Sequence, residues 1–440
     1  VSDYAGKLAR LEDSWTGGNG KLRLAKSTIS NLFRYDSRGA PARRVSLSDF
    51  NEIIALDPAQ RTLEVEGLAT FETIVSYTLS RGFLPPVAPE LKHITIGGAT
   101  VGIGIESSCF RHGFVHDSLI EADVVLPDGS VVTCSADDQH SDLFYALPNS
   151  YGTLGYILRA KIRLVPAKPF VRMRIDTFND TDAYLDSMRD ATARDDLSFV
   201  EGLFFGDRRF FLMRGEMVDA LDPLDDILRK NVFYKLVQSR DEIRLTTKDY
   251  IFRYDPEWFW NLPDSFAYTL FRRFAPRRFR NSGFYTKYVA WQDSRRPAGQ
   301  PKDTEPLIQD WEVPWERAAE LVEFCLGNVD LEGRPWAAVP IRTPRTPTLY
   351  PIRAGELYFN LGCYLQVKKQ PLGGDFYYTR IMDDKCFELD GIKMLYSSTF
   401  LDKDAFDAKF NGTTYDALKT KYDAAGNAPT LFEKAAMNPA

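Results

Sequence analysis

Apolar and polar residues alternate along this chain with two different periods, and the changes of period mark its elements. Phe71, Ile74, Val75 and Leu79 recur at helical spacing, so Thr70–Leu79 reads as an amphipathic helix stopped near Gly82. Ahead of it, Val45–Ile54 and Thr62–Gly67 read as strands. Ala122–Leu126 and Ser130–Cys134 flank Asp128-Gly129, a hairpin signal. Pro85, Pro86 and Pro89 hold an extended approach to the glycine-rich stretch that follows them. Beyond Pro166-Ala-Lys-Pro169 the composition shifts. Phe170–Phe178, Phe199–Met213 and Glu356–Tyr364 read as strands, with helices expected over Leu221–Val237 and Trp315–Leu326. Lys393–Phe400 reads as a last strand before a terminal helix. At 440 residues the chain exceeds one ordinary core. The expectation is an α+β protein with a first domain over residues 1–167, a second over 168–386 and a tail over 387–440.

The stretch that carries candidate chemistry runs from Ile94 to Pro166. Gly97, Gly98, Gly102 and Gly104 leave backbone N–H groups without side-chain bulk, able to approach an anion, and Ser107 and Ser108 add hydroxyl donors. His112-Gly113 and the small-residue turn Gly152-Thr-Leu-Gly155 follow. The alternative is that these glycines only mark bulges and bends. A dinucleotide fingerprint fits poorly, because Ser107 stands where the third glycine belongs and a hairpin follows in place of a long helix. Earlier, Ser27, Thr28, Ser30 and Asn31 form a polar turn whose groups can donate to phosphate, with Arg34 beside them, or simply face water.

These pieces, in this order, resemble the vanillyl-alcohol-oxidase (PCMH-type) FAD-binding flavoproteins. Within them the chain is most similar to the Δ24-sterol reductase (diminuto) branch. The matching segments are Val87–Leu91, Gly104–Ser108, Ser141–Ala146, Gly152–Gly155, Ile162–Lys168, Phe199–Leu203, Glu356-Leu-Tyr and Lys393–Tyr396. The resemblance implies a PCMH-type FAD-binding domain of two α/β subdomains, a cap domain with an antiparallel sheet, and a tail that returns to the FAD domain. It implies FAD contacts at Ser27, Thr28, Ser30 and Asn31, at Thr95, Gly97, Gly98, Ala99, Gly102, Gly104, Glu106, Ser107, Ser108, His112 and Gly113, and at Gly152, Thr153, Gly155 and Ile157. Many relatives attach the flavin through a histidine in the first loop. Here that loop has none, so the FAD is expected to be non-covalent. The branch takes electrons from NADPH, and its members commonly carry an N-terminal membrane segment. No run in this sequence approaches the roughly 20 apolar residues such a segment needs, and a segment ahead of Val1 stays an open alternative.

Composition narrows the rest. A net charge of −6 argues against a nucleic-acid partner. Five scattered cysteines without a Cys-x-x-Cys favour free thiols in the cytoplasm. All four histidines fall in the first 140 residues, so a catalytic acid in the cap must be something else, and no metal cluster is evident. The candidates are Glu201, a carboxylate in an apolar strand, and the tyrosines Tyr364 and Tyr396. Tyr250–Trp291 mixes arginines with aromatics. Its Arg272, Arg273, Arg277, Arg278 and Arg280 suit peripheral contact with a membrane, or else a solvated cap surface. Three functions compete: an NADPH-dependent reductase of a lipid carbon–carbon double bond (a sterol side chain or a fatty acyl chain), an oxidase or dehydrogenase of an alcohol or lactone, and a non-enzymatic lipid-surface protein.

Overall fold

The computed structural model describes residues 2–15, 20–25, 42–261, 266–276, 279–284, 287, 291, 295 and 303–436. The chain opens with α1 (Tyr4–Ser14) and two parallel strands, β1 (Lys21–Ala25) and β2 (Ala42–Ser46). The strand expected over Val45–Ile54 is broken by a turn in which Phe50 N–H donates to Leu47 O, and β3 (Ile53–Asp57) starts after it. β4 (Thr62–Glu66) leads to α2 (Phe71–Leu79), which Thr70 caps by accepting from Thr73 N–H. Phe71, Ile74, Val75 and Thr78 form its buried face. β5 (Phe83–Leu84), α3 (Ile96–Val101), β6 (Leu119–Val125), β7 (Val131–Ser135), β8 (Tyr156–Arg163) and β9 (Val165–Pro166) complete this domain. Its main sheet is antiparallel, in the order β3-β4-β8-β6-β7.

The cap is built on a second sheet from β10 (Phe170–Phe178), β11 (Phe199–Phe204), β12 (Phe210–Val218), β13 (Glu242–Thr246), β14 (Thr304–Pro314), β15 (Trp336–Ile341), β16 (Tyr358–Lys368) and β17 (Ile392–Lys393). These described strands pair antiparallel throughout, in the order β13-β10-β12-β11-β15-β16-β14-β17. One face packs on helices: Trp311 Nε1 donates to Asp383 in the helix Tyr377–Glu388, and a Cβ on Gly202 would run into the hydroxyl of Tyr184 in the helix Thr181–Thr192. Strand alternation therefore turns Glu201, Asp310, Glu312, Asn360 and Tyr364 to the opposite face. That face lies towards the first domain, since Val200 N–H donates to Ser107 O at 2.9 Å.

Two expected elements are shorter than their sequences suggest. Of Leu221–Val237, only Phe233–Val237 is helical, because the Asp226 carboxylate takes the N–H groups of Leu228 and Arg229 into a local turn. Of Lys393–Phe400, only Lys393 belongs to a strand, β17, which is still part of the cap sheet. Its ammonium turns inward to Asp383 at 2.6 Å and Ser398 O at 2.8 Å, and the chain curls around that buried charge. The tail helices Lys403–Lys409, Gly412–Tyr422 and Leu431–Ala435 come after this point. The tail reaches the first domain through Leu22 N–H to Asn427 O at 2.7 Å and Lys419 Nζ to Thr153 O at 2.7 Å. Among the described residues, no helix is long and apolar enough to cross a membrane, and no His/Cys/Asp/Glu group could hold a metal.

Candidate active site between the glycine loop and the cap

The glycine stretch is not the continuous loop its composition suggests: Ile96–Val101 is a short helix capped by Thr95, whose hydroxyl accepts from Gly98 N–H at 3.3 Å. Several of its glycines answer to packing. A Cβ on Gly97 would sit 2.8 Å from Gly67 O, and one on Gly102 would sit 2.8 Å from Gly98 O. Gly155, at φ +150°, would put a Cβ 2.6 Å from Val124 Cγ1 and 2.7 Å from Val125 O. A side chain at these positions would clash with the protein before it met a ligand. Ile157 lies in the core under α3. Gly98, Gly102 and Gly104 are nonetheless half exposed. With half-buried Ile105 and His112 they leave a strip of nearly side-chain-free surface, which fits a flat, phosphorylated group such as FAD. His112 is kept neutral there, its pKa lowered to about 4 by burial and then by Arg111 and Arg163.

The other expected cofactor contacts are redistributed. Ser108 donates to Pro86 O at 2.7 Å, tying the loop down. Ser107 Oγ is hydrogen-bonded to Glu106 at 2.9 Å and to the Tyr250 hydroxyl at 2.9 Å, which makes it a joint to the cap. Thr153 is fully buried, donates to Ser150 O and accepts from Tyr415, so it docks the tail and does not face the cleft. Gly152 and Gly113 share its buried setting. Ser27, Thr28, Ser30 and Asn31 lie outside the described residues.

Glu106 belongs to a different arrangement, a cluster around Arg253 that sequence reasoning missed. Arg253 is fully buried, and its Nη2 reaches Glu201 at 2.6 Å, Glu90 at 2.9 Å and Glu106 at 3.4 Å. Tyr250 and Tyr254 donate their hydroxyls to Glu201 at 3.1 and 3.4 Å. Glu201 is thus charge-paired, although burial still outweighs Arg253 and pushes its carboxyl up. The signal for Arg253 was a lone cation with Tyr250, Phe252 and Tyr254 around it.

The two tyrosine candidates do meet. Tyr364 on β16 and Tyr396 beyond β17 both donate to the same oxygen of Asp310 on β14, Tyr396 at 2.6 Å. Burial and then the Asp310 charge hold both phenols well above the ordinary tyrosine range, so both stay protonated. Burial raises Asp310 as well. Gly362, opposite Asp310, makes the room: a Cβ there would be 2.7 Å from the carboxylate. Glu312, two residues on, takes Tyr350 and Asn360 as donors and is pushed up by burial and by Asp310. Phe259 joins the two networks. Its ring stacks on Tyr254 at 5.7 Å and tilts on Tyr364 at 4.5 Å.

The membrane arginines separate. Arg273 is exposed on the helix Phe266–Phe274, beside Leu270, Phe271 and Phe274 at 50, 40 and 73% exposure. Arg280 is buried, donating to Leu228 O at 2.6 Å, because Ser282 anchors the next turn to buried Asp255 at 2.7 Å. It cannot meet a membrane. The side chain of Arg272, and Arg277 and Arg278 entirely, lie outside the described residues.

A family model for an FAD binding domain matches residues 27–135, which include Ser27, Thr28, Ser30 and Asn31, α3 and the β6–β7 hairpin. The chain is 27% identical to human Delta(24)-sterol reductase over 87% of its own length and 76% of the relative's. It is 24% identical to the Delta(24)-sterol reductase homolog of Caenorhabditis elegans, over 96% of this chain and 84% of that one. Cytokinin dehydrogenase 7 of rice matches a shorter stretch, 34% identical over 32% of this chain and 27% of that protein. With an antiparallel cap sheet facing a glycine-strip domain, the chain is a PCMH-type FAD-binding flavoprotein, an FAD-dependent oxidoreductase. Within that class it is similar to the Δ24-sterol reductases over most of its length.

Proposed function

We propose that this flavoprotein reduces a carbon–carbon double bond of a lipid, a sterol side chain or an unsaturated fatty acyl chain, with NADPH as electron donor. The observation that carries the reading is the convergence of Tyr364 and Tyr396 on Asp310, on the cap face turned to the first domain. FAD, when bound, supplies hydride transfer to one alkene carbon. The chain's own part is the proton for the other carbon. Tyr396 and Tyr364 remain protonated across the working range, and a protonated Asp310 would leave one of the three groups with a hydrogen to spare. Phe259, Trp260 and Tyr254 form an apolar wall that keeps water from that proton. Gly98, Gly102 and Gly104, with Ser27, Thr28, Ser30 and Asn31, would hold the FAD, without a covalent bond. Acid precipitation should therefore release all of the yellow colour into the supernatant.

The function is tested anaerobically. NADPH should bleach the bound flavin, and an unsaturated sterol or fatty acyl lipid should restore its colour. Reoxidation by none of the lipids, with reduction by an alcohol or lactone in place of NADPH, would make the chain an oxidase or dehydrogenase.

Such a substrate resides in a bilayer, and its apolar surface costs about 25 cal/mol per Å² in water. The exposed Leu270, Phe271 and Phe274, with Arg273 beside them, suit docking on an anionic membrane. Phe274→Ser with Arg273→Gln should weaken binding to phosphatidylserine vesicles several-fold and leave FAD content unchanged. Equal vesicle binding by parent and variant would remove the docking role.

A further inference from the structure

Trp258, Phe259 and Trp260 are three consecutive residues with left-handed backbone, at φ +54°, +47° and +66°. Residues with a Cβ visit that region singly and not in runs, so a run of three persists only where its surroundings over-determine it. Two anchors do so here. Trp258 and Trp260, at the two ends of the run, are buried. Behind them, Asn261 Nδ2 donates to Trp258 O at 3.0 Å and to Phe259 O and Tyr364 O at 2.8 Å each. Three carbonyl oxygens meet this side chain, so its amide nitrogen and not its oxygen faces them. One of the three belongs to β16, at the residue that carries the phenol. The rings complete the arrangement. Phe259 tilts on the Tyr364 ring at 4.5 Å, and Trp260 meets it edge-on at 6.1 Å. Tyr254 backs both, stacked on Phe259 and edge-on to Trp260 at 5.7 Å each. The phenol also lies over Gly362, where a Cβ would come within 3.3 Å of Tyr364 Cε2. Having no side chain, Gly362 offers the ring no wall. The strand makes room for the phenol, and the turn confines it.

We propose that Asn261 is a positioning residue for the reaction: by clasping the Trp258–Trp260 turn to β16, it keeps the Tyr364 hydroxyl on Asp310. The inference rests on the reading that the Tyr364–Asp310–Tyr396 cluster protonates the alkene. Asn261 acts only through Tyr364. A phenol on a strand is free to turn about its side-chain bonds, and a reacting group displaced by about 1 Å loses roughly 100-fold in rate. Without the three hydrogen bonds of Asn261, the left-handed run relaxes towards ordinary backbone and carries the Phe259 ring away from Tyr364. The phenol then gains the freedom that Gly362 leaves it.

Asn261→Ala tests this in the half-reaction where the proton is given. Bleaching by NADPH and the apparent affinity for lipid should hold. Reoxidation at saturating lipid should slow about 10- to 100-fold, and by no more than in Tyr364→Phe. The two losses should not multiply: on the Tyr364→Phe background, Asn261→Ala should change the rate by no more than about twofold, because the hydroxyl it aims is gone. Losses that multiply in the double variant would overturn the proposal. So would full-rate reoxidation in Asn261→Ala beside a slow Tyr364→Phe. A spectrum reads the same geometry without turnover. In protein carrying tyrosine labelled with carbon-13 at Cζ, the Tyr364 line is the one missing from Tyr364→Phe. It should move or broaden in Asn261→Ala, and an unmoved line would overturn the positioning role. Should Asn261→Ala not fold, Phe259→Leu removes the ring wall alone and should give the same moved line and the same non-multiplying loss; neither change would count against the proposal. If no alkene reoxidises the parent, or Tyr364→Phe turns over at full rate, the reading of the cluster falls, while the Tyr364 line separately decides whether Asn261 holds the phenol in place.

Discussion

Arg253→Met should lower the unfolding free energy by about 3–5 kcal/mol, because it strands buried carboxylates without a cation. The cost is a penalty of imbalance more than the worth of the pairs. Adding Glu201→Gln to Arg253→Met should therefore restore a good part of the stability, since it removes the acid closest to the missing guanidinium, at 2.6 Å. Urea unfolding of the parent, the single variant and the double variant measures both quantities. A single variant within about 1 kcal/mol of the parent would mean that the acids neutralise themselves at little cost. Because the cluster bridges Glu90 and Glu106 to the cap, the single variant should also lose flavin, which visible absorbance reads directly.

Tyr396→Phe should slow lipid-driven reoxidation by about 100- to 10,000-fold, the range a positioned general acid supplies. The ring stays and only the hydroxyl at 2.6 Å from Asp310 is lost, so the fold and the flavin should be preserved. Tyr364→Phe should be milder if Tyr396 is the group nearer the substrate, and the ranking of the two assigns the donor. Asp310→Asn keeps both phenols hydrogen-bonded but removes the shared acid, and it should slow the same half-reaction. NADPH bleaching should be untouched in all three. Full reoxidation in the Tyr396→Phe, Tyr364→Phe double variant would take the proton-donor role away from this cluster.

Local periodicity was enough to read α2, β10 and β16, because each repeats one face over two or more turns or pleats and meets no competing side chain. It was not enough where a polar side chain captured the backbone or a buried ion bent the chain, as Asp226 does after Leu221 and Lys393 does before Phe400. Tyr364, Tyr396 and Glu201 stood out as polar groups inside apolar strands. Their partners did not. Asp310 comes from a strand with Glu312 two residues on, a pair of acids at strand spacing that looks solvent-facing until the sheet is assembled. Arg253 reads as one more surface arginine in an aromatic run, because only the long-range approach of Glu90, Glu106 and Glu201 removes it from water. The glycines were legible as a site, yet much of their lack of bulk serves contacts such as Gly97 with Gly67, which composition cannot reveal.

The tail gives the order of assembly a direction. Tyr415 and Lys419 grip Thr153, Lys434 donates to Tyr151 O, and Lys21 beside the first loop pairs with Glu433. The last of these contacts joins residues 412 positions apart. A growing chain can form the hairpin and α3 long before those partners exist. The turn under the glycine strip stays unbraced until residues 415–434 have left the ribosome. Cofactor capture is then a late event, timed by the far end of the polypeptide, and a chain stopped a few dozen residues early would carry every glycine of the site and still fail to hold flavin.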